Sequence, residues 1–360
     1  MTYESIKKSQ YELLKEENIK EHILPYYGLY NATVTQIKFK DTEKQRAVYK
    51  IETIKNTFCL KKVYYDKNQL LFVYSAIEWL YRYGINVPRI LPTLKGGRFA
   101  EKDNVLFILT DWIEGEKCNY DDIENVIDSA ENLAFIHKVG TDFKPILGSA
   151  KREGFDNIYT STEKHLQELL HCSNLAFKYR DKFSKLFLDS FDTNIILTEK
   201  SLEISSTIDF SNLRRSLCHG DYVNKNIILD KNKNIYVIDF DKCKMDYCCH
   251  DISYFLRRIL KRESTKWDLE LALNSLNIYD KVLSLTLDDY KYIVSYLSFP
   301  QKYWKISKDY YNNISKCNKY SFQTLMHHTA SKSEGQLEFI EELSHHVENK
   351  FKCSLNSYKK

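Results

Sequence analysis

Two carboxylates and an amide in this sequence stand at a spacing that suits the transfer of a phosphoryl group. A His-Gly-Asp run ends at Asp221, Asn226 follows it closely, and Asp239 ends an apolar run. Phosphoryl transfer depends mainly on positioning: one carboxylate accepts or orients the proton of an attacking hydroxyl, and carboxylate and amide oxygens hold the Mg²⁺ that bridges nucleotide phosphates. The spacing therefore predicts a catalytic role for Asp221 and metal binding by Asn226 and Asp239.

Each of these residues also has an ordinary structural interpretation. Aspartates are common at turns and strand ends, where they bond the local backbone. The combination carries more weight than its parts, because His-Gly-Asp-x-x-x-x-Asn is followed by apolar residues and an Asp-Phe-Asp run in a chain whose first third is rich in strand signals. We therefore favour the functional interpretation of the pattern.

The elements that must position these groups begin with a β-rich region. Short runs of β-branched and aromatic residues predict an antiparallel meander. A helix follows, with Gly84 as its stop signal, and then a buried strand. The strands are expected at 33–37, 47–51, 57–61 and 105–110, and the helix at about 67–83.

From about residue 120 onward the apolar residues recur with the period of helices, apart from a loop and hairpin at 217–241. The sequence therefore predicts an α+β protein of two lobes. The N-lobe, residues 1–112, contains an N-terminal helix, the β-meander and one helix. The larger helical C-lobe, residues 113–360, carries the catalytic loop and the metal-binding strand.

Composition excludes several classes of protein. The chain of 360 residues has only 10 glycines, and none form the Gly-rich fingerprints of dinucleotide-binding or P-loop proteins. A net charge of +4, with both signs mixed along the chain, gives no reason to expect a nucleic-acid partner. No apolar run is long enough to predict a membrane span, so no membrane partner is expected.

Nine cysteines without a disulfide-framework pattern, and a start without a signal-peptide core, suit synthesis in a reducing cytoplasm. The cluster of Cys243, Cys248, Cys249 and His250 lacks the paired spacing of a zinc site, so these thiols are expected to be buried core residues. Tyr310 and Tyr311, near a tryptophan, are candidates for a partner-binding face.

Further segments carry a resemblance to a known family. They are Leu60-Lys61, Gly-Ile-Asn-Val-Pro at 84–88, Asp-Trp-Ile-Glu-Gly at 111–115, Leu-Cys-His-Gly-Asp at 217–221, Ile-Asp-Phe-Asp at 238–241, Asp-Ile-Ser-Tyr-Phe-Leu-Arg-Arg at 251–258 and Phe-Pro-Gln-Lys-Tyr-Trp at 299–304. With them the chain resembles the aminoglycoside phosphotransferase and choline kinase branch of the protein-kinase-like superfamily. The Leu-Arg-Arg run and the Phe-Pro-x-x-Tyr-Trp segment point, within it, to the CotS-type spore coat proteins.

The resemblance implies a bilobal protein-kinase-like fold that binds ATP and Mg²⁺. It makes Asp221 the catalytic base and His219 a support of its loop. The family pattern further implies Lys61 and the backbone of Asp111, Trp112 and Ile113 as nucleotide-binding groups, Asn226, Asp239 and Asp241 as metal ligands, Asn226 also as a catalytic residue, and Asp251 as a brace of the catalytic loop.

Two departures from the family pattern keep two functions open. Val73 stands where the first helix of the fold should carry a glutamate for Lys61, and Glu78 is directed elsewhere on that helix, so Lys61 must find another partner or none. The turn at 40–44 is charged and has no glycine for close backbone contact with phosphates.

One function is an ATP- and Mg²⁺-dependent phosphotransferase. Its acceptor would be a small hydroxylated molecule, because Gly220 replaces the arginine that reads an activation loop and the interval from Asp239 to Asp251 is too short for one. The alternative is a structural spore coat component with a degenerate kinase fold. Both imply synthesis in the mother cell, location in the spore coat, and other coat proteins as candidate partners.

Overall fold

The computed structural model describes residues 11–40 and 45–355, and the described residues up to Asp111 contain a five-stranded antiparallel sheet. Its strands are β1 Thr33–Lys40, β2 Arg46–Glu52, β3 Thr57–Val63, β4 Ala100–Lys102 and β5 Val105–Asp111. They lie in the order β1-β2-β3-β5-β4. The predicted meander is confirmed, while positions 41–44 of the charged turn lie outside the described residues.

Strand β1 runs three residues beyond its predicted end at Ile37. The register between β1 and β2 shifts between Gln36 and Lys38, which marks a β-bulge at Ile37. A bulge interrupts the alternation of apolar and polar residues on which a sequence-based strand boundary rests. The predicted strand therefore ends where the alternation ends.

One face of the sheet forms a hydrophobic core. Ala47, Tyr49 and Ile51 alternate along β2 and are buried, as strand geometry requires of a face directed inward. Helix α1, Glu16–His22, covers this core with Ile19. The hydroxyl of Tyr49 donates to the carbonyl of Leu14 at 2.6 Å, so its polar end is satisfied within the core.

Helix α2, Lys67–Arg82, follows the sheet as predicted. Asp66 caps its start by accepting the amide N–H of Gln69 at 2.8 Å. Gly84 lies just after its end with φ +82°, a left-handed conformation that favours glycine. The residues predicted to share the apolar face, Leu70, Val73, Ile77 and Leu80, are all buried.

Two small sheets and two short helical turns complete the β structure. Strands β6 Glu116–Lys117, β8 Ile227–Leu229 and β9 Ile235–Val237 form one sheet, and β7 Arg215–Cys218 pairs with β10 Lys244–Tyr247 in the other. Single 3₁₀ turns lie within the two motifs that the sequence singled out: Asn224–Asn226 ends the first, and Phe240–Lys242 begins within the second.

The rest of the described chain is mainly helical. Its helices are α3 Ile123–Gly140, α4 Ile158–Tyr179, α5 Lys182–Asp189, α6 Phe191–Ser206, α7 Cys248–Leu260, α8 Leu269–Val282, α9 Leu287–Ser298, α10 Gln301–Asn312, α11 Lys319–Ala330 and α12 Ser333–Phe351.

An aromatic core joins α4, α5, α10 and α11. The ring of Tyr303 stacks on Phe187 with centroids 5.0 Å apart, and its hydroxyl donates to the carbonyl of Phe187 at 2.6 Å. Tyr310 and Tyr311 are buried in the same cluster. The prediction that these two tyrosines form a partner-binding face is therefore wrong, because their rings fill the interior between helices.

The chain divides into two compact units that interleave along the sequence. One contains the described residues up to Cys118 together with Val139–Glu153 and His219–Lys244. The other contains Asn119–Lys138, Gly154–Cys218 and the described residues from Met245 onward. The lobe boundary at residue 112 stays a prediction.

The nine cysteines all lie among the described residues and form no disulfide, and Cys243, Cys248 and Cys249 are buried, as expected of core thiols. Within the described ranges, each helix is either too short or too polar to pass through a bilayer.

The aromatic core yields a stability prediction. Phe187→Ala should lower the free energy of unfolding by about 3–5 kcal/mol, because the fully buried ring leaves a cavity when removed. Phe177→Ala on α4 is the matched control, since that ring is 60% exposed. Its effect should stay within about 0.5 kcal/mol. Urea unfolding followed by circular dichroism measures both, and equal midpoints for the two variants would contradict this description of the core.

Candidate active site

The structure brings Lys61 together with both carboxylates of the Asp-Phe-Asp run. Its Nζ lies 2.5 Å from Oδ1 of Asp239 and 2.7 Å from Oδ1 of Asp241. Burial lowers the pKa of Lys61, but the negative charges of Asp241 and Asp239 outweigh it and raise that pKa above its usual value. Burial likewise tends to raise the pKa of Asp239, yet the charge and hydrogen bond of Lys61 lower it to about 2. Both partners are therefore held in their charged forms.

The backbone after β9 turns sharply to present these carboxylates. Asp239 has φ +66° and ψ +59°, a left-handed conformation that few residues other than glycine adopt without strain. The 3₁₀ turn Phe240–Lys242 follows at once. This turn brings Asp241 to the same lysine as Asp239, although the two are separated by Phe240.

Asp241 is held by two residues that the sequence motifs did not indicate. The hydroxyl of Tyr65 donates to its Oδ1 at 3.2 Å, and Nη2 of Arg152 donates to its main-chain carbonyl at 2.5 Å. Its other carboxylate oxygen, Oδ2, is buried and has no hydrogen-bond partner among the described residues. A buried carboxylate oxygen without a donor, beside a second carboxylate, fits a hard divalent cation such as Mg²⁺.

The His-Gly-Asp segment forms a tight loop joined to its asparagine. Nδ2 of Asn226 donates to the carbonyl of Asp221 at 2.9 Å, and both side chains are nearly buried. The carbonyl of Asn226 accepts the amide N–H of Ile238 at 2.9 Å. The loop is thereby tied to the chain just before Asp239.

His219 bonds the backbone on both sides of its ring. Its Nδ1 accepts the amide N–H of Asp221 at 3.2 Å, so Nε2 carries the proton and donates to the carbonyl of Ile238 at 3.1 Å. Both bonds orient the loop, which is the kind of contact expected of a supporting residue.

Positive charge lies beside Asp221. Nζ of Lys242 is 3.4 Å from its Oδ2, and Nζ of Lys225 is 3.6 Å from the same oxygen. Both lysines are about half exposed, which makes these pairs weak and easily exchanged for other anions.

Gly220 is fixed by space as well as by conformation. Its φ is +72°, and a Cβ at this position would lie 2.7 Å from the carbonyl oxygen of Lys242. A side chain of any size is therefore excluded, which explains the absence of an arginine here.

The predicted hinge lies at the end of β5. Asp111 pairs across the sheet with Phe58, and the amide N–H of Trp112 donates to the carbonyl of Thr57 at 3.1 Å. That N–H is therefore engaged by the sheet. Ile113 comes next as a half-buried residue outside the strand, and adenine binding by this backbone stays a prediction.

The other positions that the sequence singled out have contacts of their own. Val73 is buried in the core, and the carboxylate of Glu78 pairs with Arg89 at 2.7 and 3.1 Å, so Lys61 has the two aspartates as its partners instead. Asp251 belongs to the other compact unit, where its Oδ2 lies 3.4 Å from Nε2 of His137. Its role as a brace of the catalytic loop stays a prediction.

Comparison with known proteins identifies the family. The family model described as "Phosphotransferase enzyme family" matches residues 39–283, which include strands β2 to β5, the loop and the Asp-Phe-Asp run. The chain belongs to this family.

Individual relatives agree with this assignment. Spore coat protein S of Bacillus subtilis (strain 168) is 24% identical over 307 residues, which cover 84% of this phosphotransferase-family chain and 86% of that protein. An aminoglycoside phosphotransferase from Alicyclobacillus acidocaldarius superposes with a TM-score of 0.77 at 19% identity, covering 91% of this chain and 96% of that one. The amicoumacin kinase hAmiN, in complex with AMP-PNP, Ca²⁺ and Ami, gives 0.57 at 15% identity, covering 93% and 96%. The predicted kinase-like fold and the resemblance to spore coat proteins are confirmed.

A substitution at Gly220 tests whether this position has room for a side chain. Gly220→Ala should destabilise the fold by about 2 kcal/mol or more, because the methyl group meets a carbonyl and the left-handed backbone disfavours any side chain. Gly335→Ala is the control, since no atom lies within 4 Å of a Cβ added there on α12. It should be neutral or stabilising by up to about 1 kcal/mol. Thermal unfolding distinguishes the two, and equal stability of both variants would contradict the crowding at position 220.

The Lys61–Asp239 pair predicts a pH dependence of stability. An aspartate in an unfolded chain titrates at about pH 3.9, whereas Asp239 in the folded chain has a pKa of about 2. The pair therefore stabilises the fold above the higher value, and this contribution is lost as the pH falls towards the lower one.

Urea unfolding measures the difference in unfolding free energy between the unaltered chain and Asp239→Asn. This difference should be constant above about pH 5 and should become smaller below about pH 4. Asp142→Asn, at an exposed position, is the matched control for the loss of one aspartate charge. A difference that stays constant down to about pH 3 would overturn the assignment of a lowered pKa to Asp239.

Proposed function

We propose that this chain is an ATP- and Mg²⁺-dependent phosphotransferase that acts on a hydroxyl group of a small molecule. The observation that carries the proposal is the Lys61 cluster, in which one largely buried lysine pairs with two carboxylates, so that one negative charge is in excess, and Oδ2 of Asp241 has no partner among the described residues. Such a cluster can exchange its internal ion pairs for a metal and a phosphate without leaving any charge uncompensated.

Asn226, Asp239 and Asp241 would hold the metal. Bound there, Mg²⁺ would neutralise nucleotide phosphates and keep them oriented for transfer. Lys61 would then exchange its carboxylate partners for phosphate oxygens, while Tyr65 and Arg152 keep Asp241 in place.

Asp221 would accept the proton of the acceptor hydroxyl. Its backbone is fixed by Asn226 and His219, so the direction of its carboxylate is set before substrate arrives. Lys225 and Lys242, within 3.6 Å of its Oδ2, are placed to compensate negative charge that develops beside it.

The short connection after the Asp-Phe-Asp run favours a small acceptor. The 3₁₀ turn, β10 and the first turn of α7 occupy the chain between Asp239 and Asp251. No segment remains there that could bind an extended peptide as an activation loop does. The nucleotide- and ligand-bound amicoumacin kinase of similar fold is consistent with this substrate class.

Binding and turnover test the proposal together. The purified chain should bind ATP only when Mg²⁺ is present, as measured by calorimetry. Asp239→Asn should abolish this Mg²⁺-dependent binding of ATP. Asp221→Asn should still bind ATP, but its rate of phosphate transfer to hydroxylated small molecules should fall by about a thousandfold or more. Asp142→Asn is the matched control and should behave as the unaltered chain. Failure of the folded chain to bind Mg²⁺ and nucleotide would falsify the proposal.

A structural role in the spore coat is the second candidate. The similarity to Spore coat protein S and the absence of glycine between Gly28 and Gly84 favour it. On either view we propose synthesis in the mother cell, location in the spore coat and contacts with other coat proteins.

Sporulating cells separate the two candidates. Asp221→Asn introduced at the native locus should leave the protein in the coat but impair coat function if phosphate transfer matters. Coats indistinguishable from those of the parent strain would support the structural role.

A further inference from the structure

The turn between β1 and β2 cannot offer the glycine backbone that would let amides approach phosphates closely. No glycine occurs between Gly28 and Gly84, so each residue near this turn carries a side chain. If a nucleotide is held here, positive side chains of the sheet are a further means of contact with its phosphates, beside the metal. The end of β1 supplies such a side chain.

The bulge at Ile37 determines the direction of Lys38. Because of the register shift, Lys38 stands opposite Val48 and Phe39 opposite Ala47. Without the extra residue, Lys38 would oppose Ala47, which is 1% exposed and faces the hydrophobic core. The bulge therefore places Lys38 on the opposite face and lets Phe39 pack against the core instead.

That face is the one that carries Lys61. Val48 pairs with Lys38 on one side and with Lys61 on the other, so the three residues form a row across β1, β2 and β3. Neighbouring strands lie about 4.8 Å apart, which places the backbones of the two lysines about 10 Å from each other with their side chains on one face. A chain of phosphates spans a comparable distance.

Electrostatic interactions connect Lys38 to the candidate site. Its partial burial lowers its pKa, Asp239 opposes that shift, and the like charges of Lys225, Lys40 and Arg46 add to it. Lys38 therefore lies within the field of a proposed metal ligand and of a lysine on the catalytic loop. Cations held near one another repel each other, and a bound anion relieves this repulsion.

We propose that Lys38 binds the phosphates of the nucleotide and supplies by a side chain a contact that a glycine-rich turn would make with its backbone, with Lys225 contributing from the catalytic loop. This inference rests on the proposed function, since it specifies how the same site holds its nucleotide. The bulge would then be a functional feature of β1, because it aims this amine at the site.

Lys38→Met tests the inference, because it keeps most of the side-chain stem and removes the charge. Calorimetry on the full chain with Mg²⁺ should show that affinity for ATP falls about tenfold or more, the size expected of one charge-assisted contact. Affinity for adenosine, which has no phosphates, should stay unchanged. Lys38→Arg should recover binding of ATP to within about threefold, since it restores a positive donor.

Lys20→Met is the matched control. It removes the same charge from another exposed position of the same unit, on α1 and outside the row that contains Lys38 and Lys61, and should leave both affinities unchanged. Thermal unfolding of each variant checks that the fold is retained.

Two results would overturn the inference while leaving the proposed function intact: an ATP affinity for Lys38→Met within twofold of the unaltered chain, or equal losses for ATP and adenosine. If the unaltered chain binds adenosine but gains nothing from added phosphates, the phosphate site at Lys38 is also refuted. If it binds no nucleotide at all, the proposed function and this inference fail together.

Discussion

A lysine ammonium removed from water must be compensated, and in this chain Lys61 is compensated by two aspartates at once. Moving such a charge into a protein costs several kcal/mol unless opposite charges and hydrogen bonds replace the lost water. That requirement accounts for much of the local structure: the left-handed backbone at Asp239, the short helical turn after it, and the support of Asp241 by Tyr65 and Arg152. Each of these features brings a carboxylate to the amine or keeps it there.

The parts of the fold that depend on local sequence could be predicted from it. The strands of the meander and the helix at 67–82 have strong periodicity, and the link between Asp221 and Asn226 lies within one short motif. Contacts between segments that are distant in the chain could not be predicted from comparable patterns in the sequence. Arg152 reaches Asp241 from far along the chain, and nothing in its neighbourhood marks it. The partner of Lys61 was equally hidden, because the helix position expected to supply it holds Val73.

Aromatic residues show a second reason why sequence falls short. A tyrosine suits an interior and an interface equally well, since its ring is apolar and its hydroxyl needs only one partner. Tyr303 and Tyr311 find that partner inside the helical unit, at the carbonyl of Phe187 and the hydroxyl of Ser184. These two tyrosines therefore add hydrogen bonds to the packing of the core, whereas others, such as Tyr30 and Tyr320, are exposed. The number of tyrosines alone does not indicate which of them lie on the surface.

The crowding at Gly220 limits what this chain can become. In protein kinases that are switched by phosphorylation of an activation loop, an arginine occupies the position directly before the catalytic aspartate and binds the new phosphate. Here the carbonyl of Lys242 occupies that space, so an arginine could be introduced only after the turn carrying Lys242 had moved, and that turn also sets Asp241. An arginine at position 220 therefore requires a change in the backbone of the Phe240–Lys242 turn as well as the substitution itself.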